Sequence, residues 1–355
     1  MLTKSVDIIE TRDGRRGKRS EAAGEAVCRF PLRKTALLLA FGLAAAAGLR
    51  AEDVPSPAVQ ASTPLKLSGF AQIQYSRLGG SKDSFSITRA RLSLDSPVTR
   101  AIRLRATADA VKSPVLLDAV IDLALFKGGG LRLGQFKVPF SRESLTSSTD
   151  RETISLPRSV LELSPGRDIG ASGRDIGALL QFKSVLLEAS AGLFNGSGIN
   201  RADADRQKDV AARLVFSPLS RLKVGGSLYR GLHSAAAGEE ALRRDRVGLE
   251  IEMGLERAEL KAEWILAWDG DVTKRGGYAQ LAGALVPGRV QAVVRYDSLD
   301  RVGPAAPGRN ETWTLGLNAF FAPKTKFQVN LERRGERESG RGAELCLSAL
   351  FQAGF

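Results

Sequence analysis

The sequence predicts an all-β fold, a sixteen-stranded antiparallel transmembrane β-barrel over residues 65–355. Three observations carry this. Segments of about ten residues alternate apolar with polar or small side chains, the period of a strand with two unlike faces. The connections between them alternate short and long. The number of segments is even, and the charges on the polar faces sit singly between apolar neighbours. A water-soluble sandwich also alternates, but it has little reason to sort its loops by length.

Ahead of the barrel, Arg33-Lys34 precede an unbroken apolar stretch, Ala36–Leu49, of 14 residues. A bilayer span needs about 20. A charged segment, a short apolar one and small residues before Glu52 read as a secretory signal peptide, and a membrane anchor helix is the alternative. Cleavage after Ala51 is one option and cleavage within Ala44–Gly48 another. The 32 residues ahead of Arg33 form an over-long extension, consistent with a start codon assigned too early. Residues 1–51 are therefore assigned to the signal and its extension, and the Pro/Ser/Ala-rich stretch 52–64 to a linker.

The sixteen segments run Leu65–Tyr75, Phe85–Asp95, Ile102–Ala108, Val115–Leu125, Leu131–Lys137, Ile176–Lys183, Leu186–Phe194, Asp209–Phe216, Leu222–Tyr229, Arg244–Met253, Glu259–Trp268, Gly277–Val286, Val290–Ser298, Glu311–Phe321, Lys326–Glu332 and Glu344–Phe355. In the second, Thr88, Ala90, Leu92 and Leu94 oppose Arg89, Arg91, Ser93 and Asp95. In the fourth, Val115, Leu117, Ala119, Ile121, Leu123 and Leu125 oppose Asp118 and Asp122. In the last, Leu345, Leu347, Ala349, Phe351, Ala353 and Phe355 oppose Ser348 and Gln352. Connections after even-numbered segments are turn-like, for example Gly128–Gly130 and Pro287–Arg289. Those after odd-numbered segments are usually longer, and Val138–Asp175 is the longest, at 38 residues. In a compact domain a connection of that length is expected only of a functional loop. The terminal Phe355 fits an aromatic assembly signal, read by a barrel assembly machinery.

The net charge of +13 divides into +5 for residues 1–51 and +8 for the rest. The body lacks a basic run with interleaved aromatics, so nucleic acid is not the expected partner. One histidine and two cysteines cannot build a Cys/His zinc site. Cys28 precedes the apolar segment, which leaves Cys346 alone in the mature chain and excludes an intrachain disulfide.

If the apolar faces meet lipid, the others line water. By that parity Arg89, Arg91, Arg103 and Arg105 form a basic stripe on two neighbouring strands. Rows of arginine in a pore favour anions; the bland alternative is a solvated wall partly paired with Asp95, Asp109, Asp118 and Asp122. Glu250, Glu252, Glu259 and Glu263, near Lys261 and Arg246, form an acidic wall. The expected lumen has opposing walls of opposite sign.

The stretch "LRLGQFKVPFSRESLTSSTDRETISLPRS" (Leu131–Ser159) followed by "SPGRDIG" (Ser164–Gly170) resembles the phosphate-selective porin O/P family. The likeness is a Gly-Gln-Phe-Lys strand end running into Pro-Phe, then Leu-Thr-Ser-Ser, an Arg-bearing segment and Pro-Gly-Arg-Asp-Ile-Gly. It implies a trimeric sixteen-stranded porin whose third external loop folds into the lumen, and here Val138–Asp175 is that loop. It also implies a basic constriction for phosphate or polyphosphate. The candidates within the matched segment are Arg142, Arg151, Arg158 and Arg167. The same loop, with Arg174, holds five basic and six acidic residues. That balance argues against strict phosphate selectivity, and an Arg–Glu pair that pins the loop is the structural alternative for each arginine.

Enzymatic readings find no support. A Ser-His triad would need His233, which falls in the Arg230–Arg243 connection far from any patterned serine. Asp269-Gly270-Asp271 resembles part of a calcium loop but lacks the later ligands. Gly128–Gly130 leads into a strand, not a helix, so it is no phosphate cradle. No cofactor is expected. The sequence thus reads as a passive outer-membrane porin in a Gram-negative-type envelope, surrounded by outer-membrane lipid, and the family resemblance implies a homotrimer. It would pass small hydrophilic solutes with a preference for anions such as phosphate or chloride. The competing reading is a barrel serving mainly as a surface receptor or anchor through its external loops. Channel conductance and reversal potential in a salt gradient separate the two.

Overall fold

The computed structural model describes residues 65–355 apart from 80–82, 204–206, 234–241, 303–307 and 337–341. The signal and linker assigned to residues 1–64 lie outside the described residues. Sixteen strands form one closed antiparallel barrel. They are β1 (Lys66–Leu78), β2 (Ser84–Pro97), β3 (Ile102–Asp109), β4 (Leu116–Phe126), β5 (Gly129–Lys137), β6 (Arg174–Lys183), β7 (Leu187–Phe194), β8 (Asp209–Leu219), β9 (Leu222–His233), β10 (Leu242–Gly254), β11 (Ala258–Asp269), β12 (Val272–Val286), β13 (Val290–Val302), β14 (Gly308–Ala322), β15 (Thr325–Glu336) and β16 (Glu344–Gly354). Two short helices, α1 (Arg142–Leu145) and α2 (Arg158–Leu163), lie in the β5–β6 connection.

Each strand pairs with its sequence neighbour, and β1 closes on β16 from Phe70↔Gly354 to Leu78↔Cys346. Phe355 extends this seam, its N–H donating to the Gly69 carbonyl at 2.9 Å. Closure leaves no strand edge, which is what lets a sheet cross hydrocarbon.

The burial pattern is inverted relative to a water-soluble protein. Leu92, Leu249, Trp264, Leu315 and Phe351 are exposed on the outside, whereas Gln72, Thr314, Asn318, Asn330 and Gln352 are fully buried within. Lipid covers such an exterior. The strand parity read from the sequence holds for β2, β10, β14 and β16: Leu92, Leu249, Trp313 and Leu347 point out, and Arg91, Arg246, Asn318 and Gln352 point in.

Leu117 departs from it. The β3–β4 register shifts between Thr107 and Ala108, so that Asp118 and then Leu116 take successive partners. This bulge turns Leu117 inward, 1% exposed, against Ala171 and Ile199. An extra residue on one strand reverses parity beyond it, so alternation alone placed Leu117 on the wrong face. The external ends also differ from expectation. His233 ends β9 and pairs with Leu242 rather than lying in a loop. Asp269-Gly270-Asp271 is a tight turn after an odd-numbered strand, with Gly270 at φ 57°. The long connection is residues 138–173, since Arg174 and Asp175 already belong to β6.

Candidate pore constriction

The connection from β5 to β6 enters the barrel. Its neck closes where the Val138 N–H donates to the Gly173 carbonyl at 2.9 Å. Phe140, fully buried, packs over Gly248 of β10, where an added Cβ would lie 3.2 Å from the ring. Beyond it, Ser141 Oγ caps α1 by accepting from the Ser144 N–H at 3.1 Å. The loop then reaches β1 and β16, whose Gln72 and Gln352 donate to the carbonyls of Ser148 and Thr149. On β15, Lys326 and Gln328 donate to the Arg151 carbonyl at 2.5 and 3.2 Å. On β14, Asn318 donates to the Glu152 carbonyl at 2.9 Å, and on β13 Arg295 donates to Thr153 Oγ1 at 2.5 Å. A segment rooted at β5 and β6 can meet β13–β16 only by crossing the lumen, so the connection folds inward.

α2 anchors the far side. Its Val160 and Leu163 are fully buried in one cluster with Ile265, Tyr278 and Leu299, inward residues of β11–β13. Burying each such side chain stabilises the docked loop by about 1.5–3 kcal/mol. The return is clamped by charge. Asp168 accepts from Arg244 Nε at 2.8 Å and from Arg246 Nη2 at 3.0 Å. Gly166, at φ 75°, brings the chain back so close to Arg174 that a Cβ would sit 2.8 Å from the Arg174 nitrogen; only glycine takes that turn without strain.

The acidic wall is covered by this docking. Glu252 accepts from Arg142 Nε at 2.5 Å and is paired with Lys223. Glu263 accepts from the Glu143 N–H at 2.6 Å and from Tyr278 Oη at 2.9 Å. Glu250 is paired with Arg213, and Glu259 with Lys261 at 2.6 Å. Burial works against the charge of Arg142, but Tyr278, Glu252 and Glu143 more than offset it and hold its guanidinium above the ordinary value. Each of the four glutamates of the expected acidic wall thus has a partner.

The basic wall is not matched in this way. Arg89 donates to Gln72 Oε1 at 2.5 Å. Arg167 donates to Ser144 Oγ and the Ser144 carbonyl, at 2.7 and 2.8 Å. Lys137 donates to the carbonyls of Leu145 and Thr146, both at 2.9 Å. Among the described residues, Arg89, Lys137, Arg151 and Arg167 have no carboxylate partner within 4.0 Å. Arg151 is buried and its Nε is without a hydrogen-bond partner. Burial first, then repulsion from Arg167, and after the opposing attraction of Glu143 also repulsion from Arg91 and Arg174, pulls the Arg151 guanidinium below its ordinary value. Arg167 is lowered in the same sense, by burial and then by Arg174, with Glu143 opposing and Arg89 and Arg91 adding to the fall. These groups therefore share one electrostatic neighbourhood in which Glu143 is the carboxylate acting on both arginines and cations outnumber it.

The eight arginines expected at the pore separate into three groups. Arg89, Arg91, Arg151 and Arg167 gather, Arg91 also bonding Asp109 at 2.8 Å and Ser148 Oγ at 3.3 Å. Arg103 and Arg105 stand nearer the short turns and share Asp95, at 3.4 and 3.2 Å. Arg142 pins the loop to β10, and Arg158 pairs with Glu162 at 2.7 Å along α2. Sequence reasoning did not single out Lys137 and Arg174, which complete the cluster. The available signal was their position at the two roots of the inserted loop. Arg174 is bidentate to Asp118, at 2.8 and 3.0 Å.

Comparison with known proteins places this geometry. Residues 68–233 match the model of the family described as phosphate-selective porin O and P. No curated protein sequence matches the chain. Solved structures do. The anion-selective porin from Comamonas acidovorans is 15% identical with a TM-score of 0.61, covering 82% of this chain and 99% of that one. The outer membrane channel DcaP of Acinetobacter baumannii is 10% identical with a TM-score of 0.62, covering 84% and 100%. OmpT of Vibrio cholerae, in its trimer form, is 10% identical with a TM-score of 0.59, covering 82% and 99%. At these identities the likeness shows the fold.

Proposed function

We propose that the chain, whose residues 68–233 match the phosphate-selective porin O and P model, is an outer-membrane porin of that kind, a channel and not an enzyme, that passes small hydrophilic solutes passively with a preference for anions. The observation that carries this is the gathering of Arg89, Arg91, Arg151 and Arg167 with Lys137 and Arg174 where the inserted loop faces β2 and β6. Fixed positive charge in a narrow aqueous passage raises the local anion concentration and repels cations. Most of the passage is left on this side, because the loop is bonded to the opposite wall.

Phosphate and chloride are the anions proposed, the first from the family and the second from charge alone. A homotrimer is proposed from the family and from the trimer form of a protein of like fold. Residues 1–51 are proposed to direct export, and Phe355 to engage the barrel assembly machinery. The test is the reversal potential of the reconstituted channel in a KCl gradient, followed by conductance in chloride against phosphate. Anion selectivity in the first supports the reading, and a cation-selective potential overturns it. Conductance that saturates at lower concentration for phosphate than for chloride assigns phosphate.

A further inference from the structure

We infer that the cavity between the constriction and the short turns binds small organic anions bearing a flat aromatic body. This deepens the proposed function and rests on it. The cavity measures about 1010 Å³, opens to the lumen, and is lined by the inner faces of β1–β8, the short turns and the underside of the inserted loop. Sites for drug-sized ligands span roughly 300–1,000 Å³, so the space is ample for an aryl carboxylate or aryl phosphate.

Charge selects the sign of the occupant. Nine Lys or Arg residues line the cavity against three Asp or Glu. Yet most of the guanidiniums are already held. Arg132 grips Asp122 through two bonds of 2.6 and 3.2 Å, Arg174 grips Asp118, and Arg91 grips Asp109. A small, strongly hydrated anion must give up water for donors that are largely engaged, and polar desolvation without new bonds is unfavourable. The least committed pair is Arg103 and Arg105, half exposed and sharing the single carboxylate of Asp95.

Apolar surface selects the body of the occupant. Phe70, Val120, Phe136 and Leu179 line the same cavity. Val120, Phe136 and Leu179 form a dry floor, and Phe70 is more accessible. Two rings lie under cations, Phe70 with Arg91 at 5.8 Å and Phe136 with Arg132 at 5.7 Å. A wall that passes only hydrated ions gains nothing from aromatic surface beside its arginines. An aryl anion uses both, its ring against Phe70 and the Arg91 plane and its charge toward Arg103 and Arg105.

The experiment is block of the chloride current through the reconstituted full-length channel, with phenyl phosphate or methyl phosphate added at the short-turn side. The two probes carry the same charged group and differ in the ring. Phenyl phosphate is expected to block at a concentration roughly two- to tenfold lower, the range that stacking and cation–π contacts supply. In Phe70→Ala the two probes should converge. Equal block by both in the native channel, or a ratio that Phe70→Ala leaves untouched, overturns the aryl site while an anion-selective KCl potential keeps the proposed function standing. A cation-selective KCl potential overturns both. The native ratio decides the matter even if Phe70→Ala does not assemble.

Discussion

The wall built by β10–β16 and the wall built by β2–β8 both point ionisable side chains into the lumen, yet they meet the central loop in different ways. On β10–β16 the loop is bonded strand by strand, through Arg142–Glu252, Asp168 with Arg244 and Arg246, Glu152–Lys261 and Glu162–Arg301. On β2 its direct tie is a single bond from Arg91 to Ser148. The difference teaches that counting charges on a pore wall does not give its field. Glutamates engaged in docking are neutralised locally, whereas on the open side Arg89, Lys137, Arg151 and Arg167 have no carboxylate within 4.0 Å among the described residues, although Arg91, Arg103, Arg105, Arg132 and Arg174 do.

The comparison can be broken most severely at the docked wall. In Asp168→Ala, Arg244 and Arg246, with side chains 3% and 1% exposed, lose the carboxylate they share. Stranding a buried charge costs about 3–5 kcal/mol, and the loss here should be smaller, because Arg246 keeps Asp269 at 2.5 Å and Arg244 keeps Asp209 at 4.0 Å. The returning limb of the loop should loosen, lowering the temperature at which the folded gel band converts to the unfolded one and raising single-channel conductance. An unchanged conductance would mean that α2 alone holds the loop in place.

A smaller effect tests which face of β2 meets lipid. Leu92→Arg places a charge on the outside and should cost roughly 2–4 kcal/mol near the midplane. Ser93→Arg, one residue on, faces the lumen and should assemble normally. Comparable yields of folded barrel for the two variants would refute the parity on which the basic wall depends.

The open wall is sharpened by charge removal. Replacing Arg89, Arg103 and Arg105 together by Gln should move the KCl reversal potential toward cations with the fold retained. The shift should be larger at 0.1 M than at 1 M salt, since screening acts over about 10 Å and about 3 Å respectively. Arg91→Gln added to this set should also lower stability, because it strands Asp109, whose side chain is fully buried. A potential unmoved at low salt would mark the stripe as a screened wall and leave selectivity to Arg151 and Arg167.

The smallest effect is expected from Glu259→Gln on the docked side. Its pair with Lys261 is partly exposed, Lys261 keeps Glu152, and such pairs contribute about 0–1 kcal/mol. The reversal potential should barely change. A shift as large as that of the triple arginine variant would show that the two walls contribute equally after all.

Strand identity was legible because the lipid imposes a period of two on every segment it touches, and each residue that follows that rule does so independently of its neighbours. Thus alternation in β2 and β3 alone sets Arg89, Arg91, Arg103 and Arg105 on the faces opposite the apolar residues. Leu117 could not, since a bulge depends on how β3 and β4 pair and leaves no mark in the alternation. The loop's helices were likewise hidden, because four and six residues are too few to display a helical period.

By itself the sequence determined the barrel, its strand number, the faces of most strands and the presence of one long connection near the family motif. Each of these follows from a local rule that water, lipid or chain length enforces. Only the tertiary structure decided which charges remain available. Arg142 and Arg151 sit nine residues apart in one loop, but Arg142 lies against Glu252 of β10 while Arg151 lies among Arg91, Arg167 and Arg174. Electrostatic neighbours in a closed barrel are set by how the loop crosses the lumen, a long-range property that no local pattern encodes.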